Sequence, residues 1–140
     1  MHSLRTALLY AAPLILCASS TPAQVGEHRW SGLVSDIFVL GNEAWSAEDG
    51  GRIRHRNPVN GVWSFQQTPP GVKDTLHRVH FLSSGAQAGL MGWAVGQGGW
   101  VLKTTNGGGT WSTVAQIQNP FGWGPWEELY DIHFLNPNEG

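Results

Sequence analysis

The sequence predicts an all-β chain made of β-propeller blades, each of four antiparallel strands. Two full repeats and the start of a third follow a signal-peptide helix. Three observations carry that expectation. The 140-residue chain holds 8 Trp and 19 Gly but only 13% charged residues, against roughly 25% in ordinary soluble domains. Short apolar runs with alternation are bounded by Gly-rich turns, and nothing from residue 24 onward has helical periodicity. A Trp/Gly pattern also recurs at one fixed spacing, the mark of a repeat architecture.

The first 23 residues stand apart from this pattern. His2 and Arg5 give a short basic start, and residues 6–18 form an apolar run interrupted by Pro13. That run is too short for the roughly 20 residues of a membrane-spanning helix. Small and polar residues then lead to Ala23, a suitable cleavage point, so residues 1–23 are expected to be a secretory signal peptide. Cys17, the sole cysteine, falls within it. Leu16 before it lacks the small side chain a lipoprotein signal would need. The mature chain is then expected to be extracytoplasmic, without a thiol and without a membrane span.

Residues 24–34 read as a lead-in and 35–140 as the repeats: 35–75 first, 76–128 second, and 129–140 the truncated start of a third. Trp45, Gly50, Gly51 and Ile53 recur as Trp93, Gly98, Gly99 and Val101, and Trp63-Ser64 as Trp111-Ser112, all 48 residues apart. Upstream lie three matching tetrads: Ile37-Phe38-Val39-Leu40, Val79-His80-Phe81-Leu82 and Ile132-His133-Phe134-Leu135. In the second repeat, strands are expected over 76–82, 91–96, 99–104 and 111–115, with a turn at 106–109. A unit of about 40–50 residues with four strands and a Trp/Gly signature reads as a propeller blade. Trp45, Trp63, Trp93 and Trp111 are expected to pack between blades, and 130–135 to be the third unit's first strand. The second blade's outer face is expected to stay wet, leaving the chain marginal or prone to aggregate.

Thr104, Asn106, Gly108, Thr110 and Trp111 resemble the Asp-box of BNR repeats, with Asn in place of Asp. The side-chain oxygen at 106 can accept backbone N–H groups and close the turn, Gly supplies positive φ, and Trp fills the layer between sheets. The first repeat keeps Trp63 but lacks the box. Gly92-Trp93-Ala94-Val95-Gly96, the apolar strand 100–104 and the Gly-rich turn after it are together similar to the repeat of the photosystem II stability/assembly factor family. That family sits within the BNR-like and sortilin-like propellers. The resemblance implies a secreted or lumenal propeller that binds other proteins, and does not imply photosynthesis.

Candidate sites follow from side-chain placement. Arg52, Arg54 and Arg56 alternate, so on a strand they share one face opposite Ile53 and His55. Together they could grip a carboxylate, a sulfate or an acidic protein surface, or simply be solvated. Trp123 and Trp126, in a Gly/Pro loop with Phe121, could stack on a sugar, dock a partner or cover the blade itself. His77 and His80 fall on opposite faces of an expected strand, which disfavours a metal pair. His80 and His133 share a repeat position and are expected to be neighbours near a central channel. Glu48-Asp49 and Glu127-Glu128 read as surface loops.

Net charge is −2 and no Lys/Arg cluster recurs along the chain, which argues against a nucleic-acid partner. The expectation is a non-enzymatic binding or assembly propeller with no cofactor and no metal, whose partner is another protein or an acidic or carbohydrate surface. The alternative is a fragment of a sialidase-like glycoside hydrolase, because those enzymes also carry Asp-boxes, or a carbohydrate-surface module. Arg52-Ile53 faintly resembles the sialidase Arg-Ile-Pro motif, but Arg54 stands where Pro belongs.

Overall fold

A computed structural model describes residues 32–121 and 127–140 of the chain. Within them the fold is all-β, two antiparallel four-stranded sheets with the strands in sequence order. The first sheet holds β1 (Val34–Leu40), β2 (Glu43–Glu48), β3 (Ile53–Arg56) and β4 (Trp63–Phe65). The second holds β5 (Leu76–Phe81), β6 (Gly92–Gly96), β7 (Trp100–Thr104) and β8 (Ser112–Gln116). Each boundary in the second sheet falls within a residue or so of the sequence expectation. The expected signal peptide lies outside the described residues.

The 48-residue repeat is visible in the backbone. β2 passes to β3 through a three-residue turn at Asp49–Gly51, and β6 passes to β7 through Gln97–Gly99. Both turns have a single 3-10 step but are not helices, because two successive glycines take positive φ in each: Gly50 and Gly51, Gly98 and Gly99. The second glycine of each pair also lies against backbone. A Cβ would stand 2.2 Å from the Val72 carbonyl oxygen at Gly51 and 2.0 Å from that of Ile117 at Gly99. Only glycine satisfies both demands.

Register divides each sheet into two faces. On the first sheet one row crosses Phe38, Trp45, His55 and Ser64, and the opposite face carries the row Ile37, Ser46, Arg54 and Phe65. The Trp45 face packs on the second sheet's Val79, Phe81, Ala94 and Leu102, with Ala47, Ile53, Leu76 and Trp111 completing the core. The Trp45 ring stacks on Phe81 at 4.0 Å, and Trp111 meets Phe81 edge-on. Burying such aromatic and branched side chains is the main favourable term in the fold, at roughly 1.5–3 kcal/mol each.

Three expectations change. Trp45 and Trp111 lie between the sheets, and Trp93, on the second sheet's other face, packs under Phe134 of the last segment at 3.7 Å. Trp63 sits half-buried on the first sheet's opposite face, beside Arg56 in register. The wet face is therefore the first sheet's outer one. Ile37, Val39 and Phe65 are 52%, 62% and 60% exposed there, while Trp93 and Val95 on the second sheet's outer face are 3% and 1%. Finally, residues 130–135 are not a strand. Among the described residues the opening strand of each sheet pairs only with the strand after it, and after Leu135 the chain turns back through an Asn136–Glu139 bridge.

Although it makes no ladder, that last segment repeats the contacts of β5. Trp45 stacks on Phe81, and Trp93 stacks on Phe134. The Phe38 ring lies 5.3 Å from His80, and His80 lies 4.5 Å from His133. The same side-chain geometry thus joins unit one to unit two and unit two to the opening of unit three.

Candidate functional site

Two surfaces bring together chemically capable side chains: the cleft along the opening strands, and the outer face of the first sheet. The cleft, of about 300 Å³, is lined by Asp36, Phe38, Arg78, His80, Ser83 and His133. Asp36, Arg78 and Asp131 occupy one repeat position, the residue before each tetrad. The structure joins them in an ion ladder in which Arg78 Nε lies 3.6 Å from Asp36 and 3.0 Å from Asp131. Asp36 also accepts the Val79 amide at 3.0 Å, tying β1 to β5. Sequence reasoning missed this ladder, although aligning the repeats one residue further upstream would have exposed its alternating charge.

His80 and His133 are neighbours here. His80 is buried, with its Nε2 3.0 Å from the Phe134 carbonyl oxygen. Burial holds its pKa below the ordinary value, against the opposing pull of that carbonyl. His133 and Arg78 lower it further and Asp131 raises it. The expectation that His77 and His80 take opposite faces is complicated by a bulge between Leu76 and Arg78 that interrupts the alternation at His77. His77 stacks on Tyr130 and His80 lies against His133, so both rings meet the last segment. No group of three or more metal-ligating side chains forms among the described residues.

On the first sheet each of the three arginines is engaged by groups of the chain itself, and Arg52 and Arg54 share Glu48. Arg52 precedes β3 and reaches back to Asp49, with Glu48 at 4.0 Å. Arg54 is buried, its Nε 3.2 Å from Glu48 and its guanidinium 4.4 Å from the centre of the Phe65 ring. Arg56 donates to the Asn42 carbonyl at 2.9 Å. Glu48 is not in a surface loop as expected. It ends β2 fully buried, accepting a 2.8 Å hydrogen bond from Ser46. Consecutive acidic residues suggested a turn, but only Asp49 enters it, because the strand carries Glu48 inward to the arginines. Trp123 and Trp126 lie outside the described residues.

The Thr104–Trp111 turn is built from its own side chains. Asn106 Oδ1 accepts the Thr110 amide at 3.0 Å, and Asn106 Nδ2 donates to the Thr110 hydroxyl at 3.1 Å. Thr104 Oγ1 accepts the Gly108 amide at 3.0 Å. With Gly107 and Gly108 at positive φ, the turn aims the Gly107 carbonyl at the first sheet. There it accepts from Trp45 Nε1 at 3.0 Å and Gln66 Nε2 at 3.3 Å, while Trp111 Nε1 donates to Gln66 at 3.0 Å. The turn therefore fastens one sheet to the other. A second cleft, of about 510 Å³, opens beside it and contains a His55–Glu43 contact of 3.2 Å.

Comparison with known proteins finds no match: no protein-family model, no curated protein and no solved structure is significantly similar to the chain.

Proposed function

We propose that the chain is a non-enzymatic, propeller-type repeat protein that works outside the cytoplasm by docking another protein. One observation carries this reading, the outer face of the first sheet, where Ile37, Val39 and Phe65 lie exposed around the buried Ser46 and Arg54. Its row Ile37, Ser46, Arg54, Phe65 corresponds to Val79, Ala94, Leu102 and Thr113 of the second sheet, the face that the molecule itself packs against an aromatic-centred sheet. An apolar, aromatic-centred protein surface is the occupant that this template fits. Glu48 and Asp49 already engage Arg52 and Arg54, which favours a protein over an acidic or carbohydrate surface and leaves a sialidase-like carboxylate clamp without support. Recurrence of the Trp–Phe stack at both unit junctions supports the propeller-type architecture.

A photo-crosslinking residue at position 39, in cells producing the full chain with its leader, tests the proposal. The expected result is a discrete protein adduct outside the cytoplasm that Phe65→Asp abolishes, with none from the still more exposed control position 59. Adducts at both positions, insensitive to Phe65→Asp, or a cytoplasmic product retaining Met1, would overturn it.

A further inference from the structure

The last segment is seated on the second sheet without a strand ladder. Phe134 covers Trp93, Tyr130 stacks on His77, Asp131 meets Arg78, and the Leu129 amide donates to the Gly96 carbonyl at 3.1 Å. At the centre of that seat two imidazoles face each other with ring centres 4.5 Å apart, one of them buried. We propose that the His80–His133 contact makes this seat acid-sensitive, so that mild acidification lifts residues 127–140 and bares the Trp93 face of the second sheet.

The electrostatics follow from the groups around the pair. β1 contributes Asp36, β5 contributes His77 and Arg78, the last segment contributes Tyr130, Asp131 and His133, and β7 carries Lys103 over Trp93. Two protonated rings beside Arg78 would place three like charges around one buried position. Asp36 and Asp131 are the opposing charges, and both already lie against Arg78. Seated, His80 titrates below its ordinary value of 6.5. Released, it returns toward that value, so the released state binds more protons in mild acid. The seat is at full strength above about pH 6.5 and weakens as pH falls from there toward the seated pKa.

Hydrogen exchange on the full chain, corrected for the intrinsic effect of pH, reads this directly. Between about pH 7.5 and about pH 5.5 the Leu129 amide should lose protection by about tenfold, while the amides of β2 and β3 keep theirs. His133→Gln, at an exposed position, should weaken the loss. His80→Phe, which installs the aromatic residue that unit one carries as Phe38, should abolish it. Equal protection at both pH values, loss shared with β2 and β3, or undiminished loss in both variants would each overturn the proposal.

Discussion

The two sheets share a register and a turn design, yet their equivalent faces differ. Where the second sheet sets Ala94, Gly96 and Leu102 against its neighbour, the first carries Ser46, Glu48 and Arg54 at the same repeat positions. The second sheet's face is sealed by Trp45 and its surroundings, while the first sheet's Ile37, Val39 and Phe65 meet solvent. A repeat position is thus not a chemical role. The same backbone address takes leucine where a sheet covers it and a neutralised arginine where the sheet's own Phe65 covers it.

Tryptophan truncation should widen this contrast most. Trp45→Ala removes a fully buried ring that stacks on Phe81 and donates to Gly107, and the expected loss is about 3–5 kcal/mol. Trp63→Ala, half-buried on the outer face, should cost less than about 1.5 kcal/mol, near the average for point substitutions. Denaturant titration followed by circular dichroism separates the two. Equal losses would erase the distinction between the faces.

Breaking the buried ion pair comes next. Glu48→Ala leaves Arg54 buried beside a missing carboxylate and should cost about 3 kcal/mol. Combining it with Arg54→Leu, the residue unit two uses, should recover more than half of that in the same titration. If the double variant is no more stable than Glu48→Ala, the pair's cost lies elsewhere. A smaller effect is expected at the turn. Asn106→Ala removes the acceptor of the Thr110 amide and should cost about 1–2 kcal/mol, whereas Asn106→Asp keeps that acceptor and should stay within about 0.5 kcal/mol. Val39→Lys on the wet face should shift stability least, also by no more than about 0.5 kcal/mol, while reducing aggregation measured by light scattering.

The strands and the interlocking turn were legible because they follow from local chemistry. Trp, Gly and β-branched residues at a fixed spacing specify hairpins, and Thr104 with Asn106 closes a turn from its own atoms. What escaped depends on neighbours. The alternation of Arg52, Arg54 and Arg56 looked like one open cationic face, but Glu48 lies against both Arg52 and Arg54, and the register with Ser46 and Phe65 buries Arg54 under the Phe65 ring on the outer face. Strict alternation assigns His77 and His80 to opposite faces and does not foresee the bulge at His77, which no composition signal marks. The four tryptophans looked interchangeable. Trp93 packs on Phe134 of the last segment and Trp63 lies beside Arg56 on the first sheet's outer face, whereas Trp45 and Trp111 enter the junction between the two sheets.

The paired glycines bear on how such a chain can diverge. At Gly51 and Gly99 any side chain would collide with a carbonyl oxygen a little over 2 Å away, and the positive φ alone would already disfavour it. A repeated unit can carry leucine or arginine, alanine or serine at matching strand positions, but these two turn positions hold glycine in both units. They are the fixed stakes between which the rest of the repeat can vary.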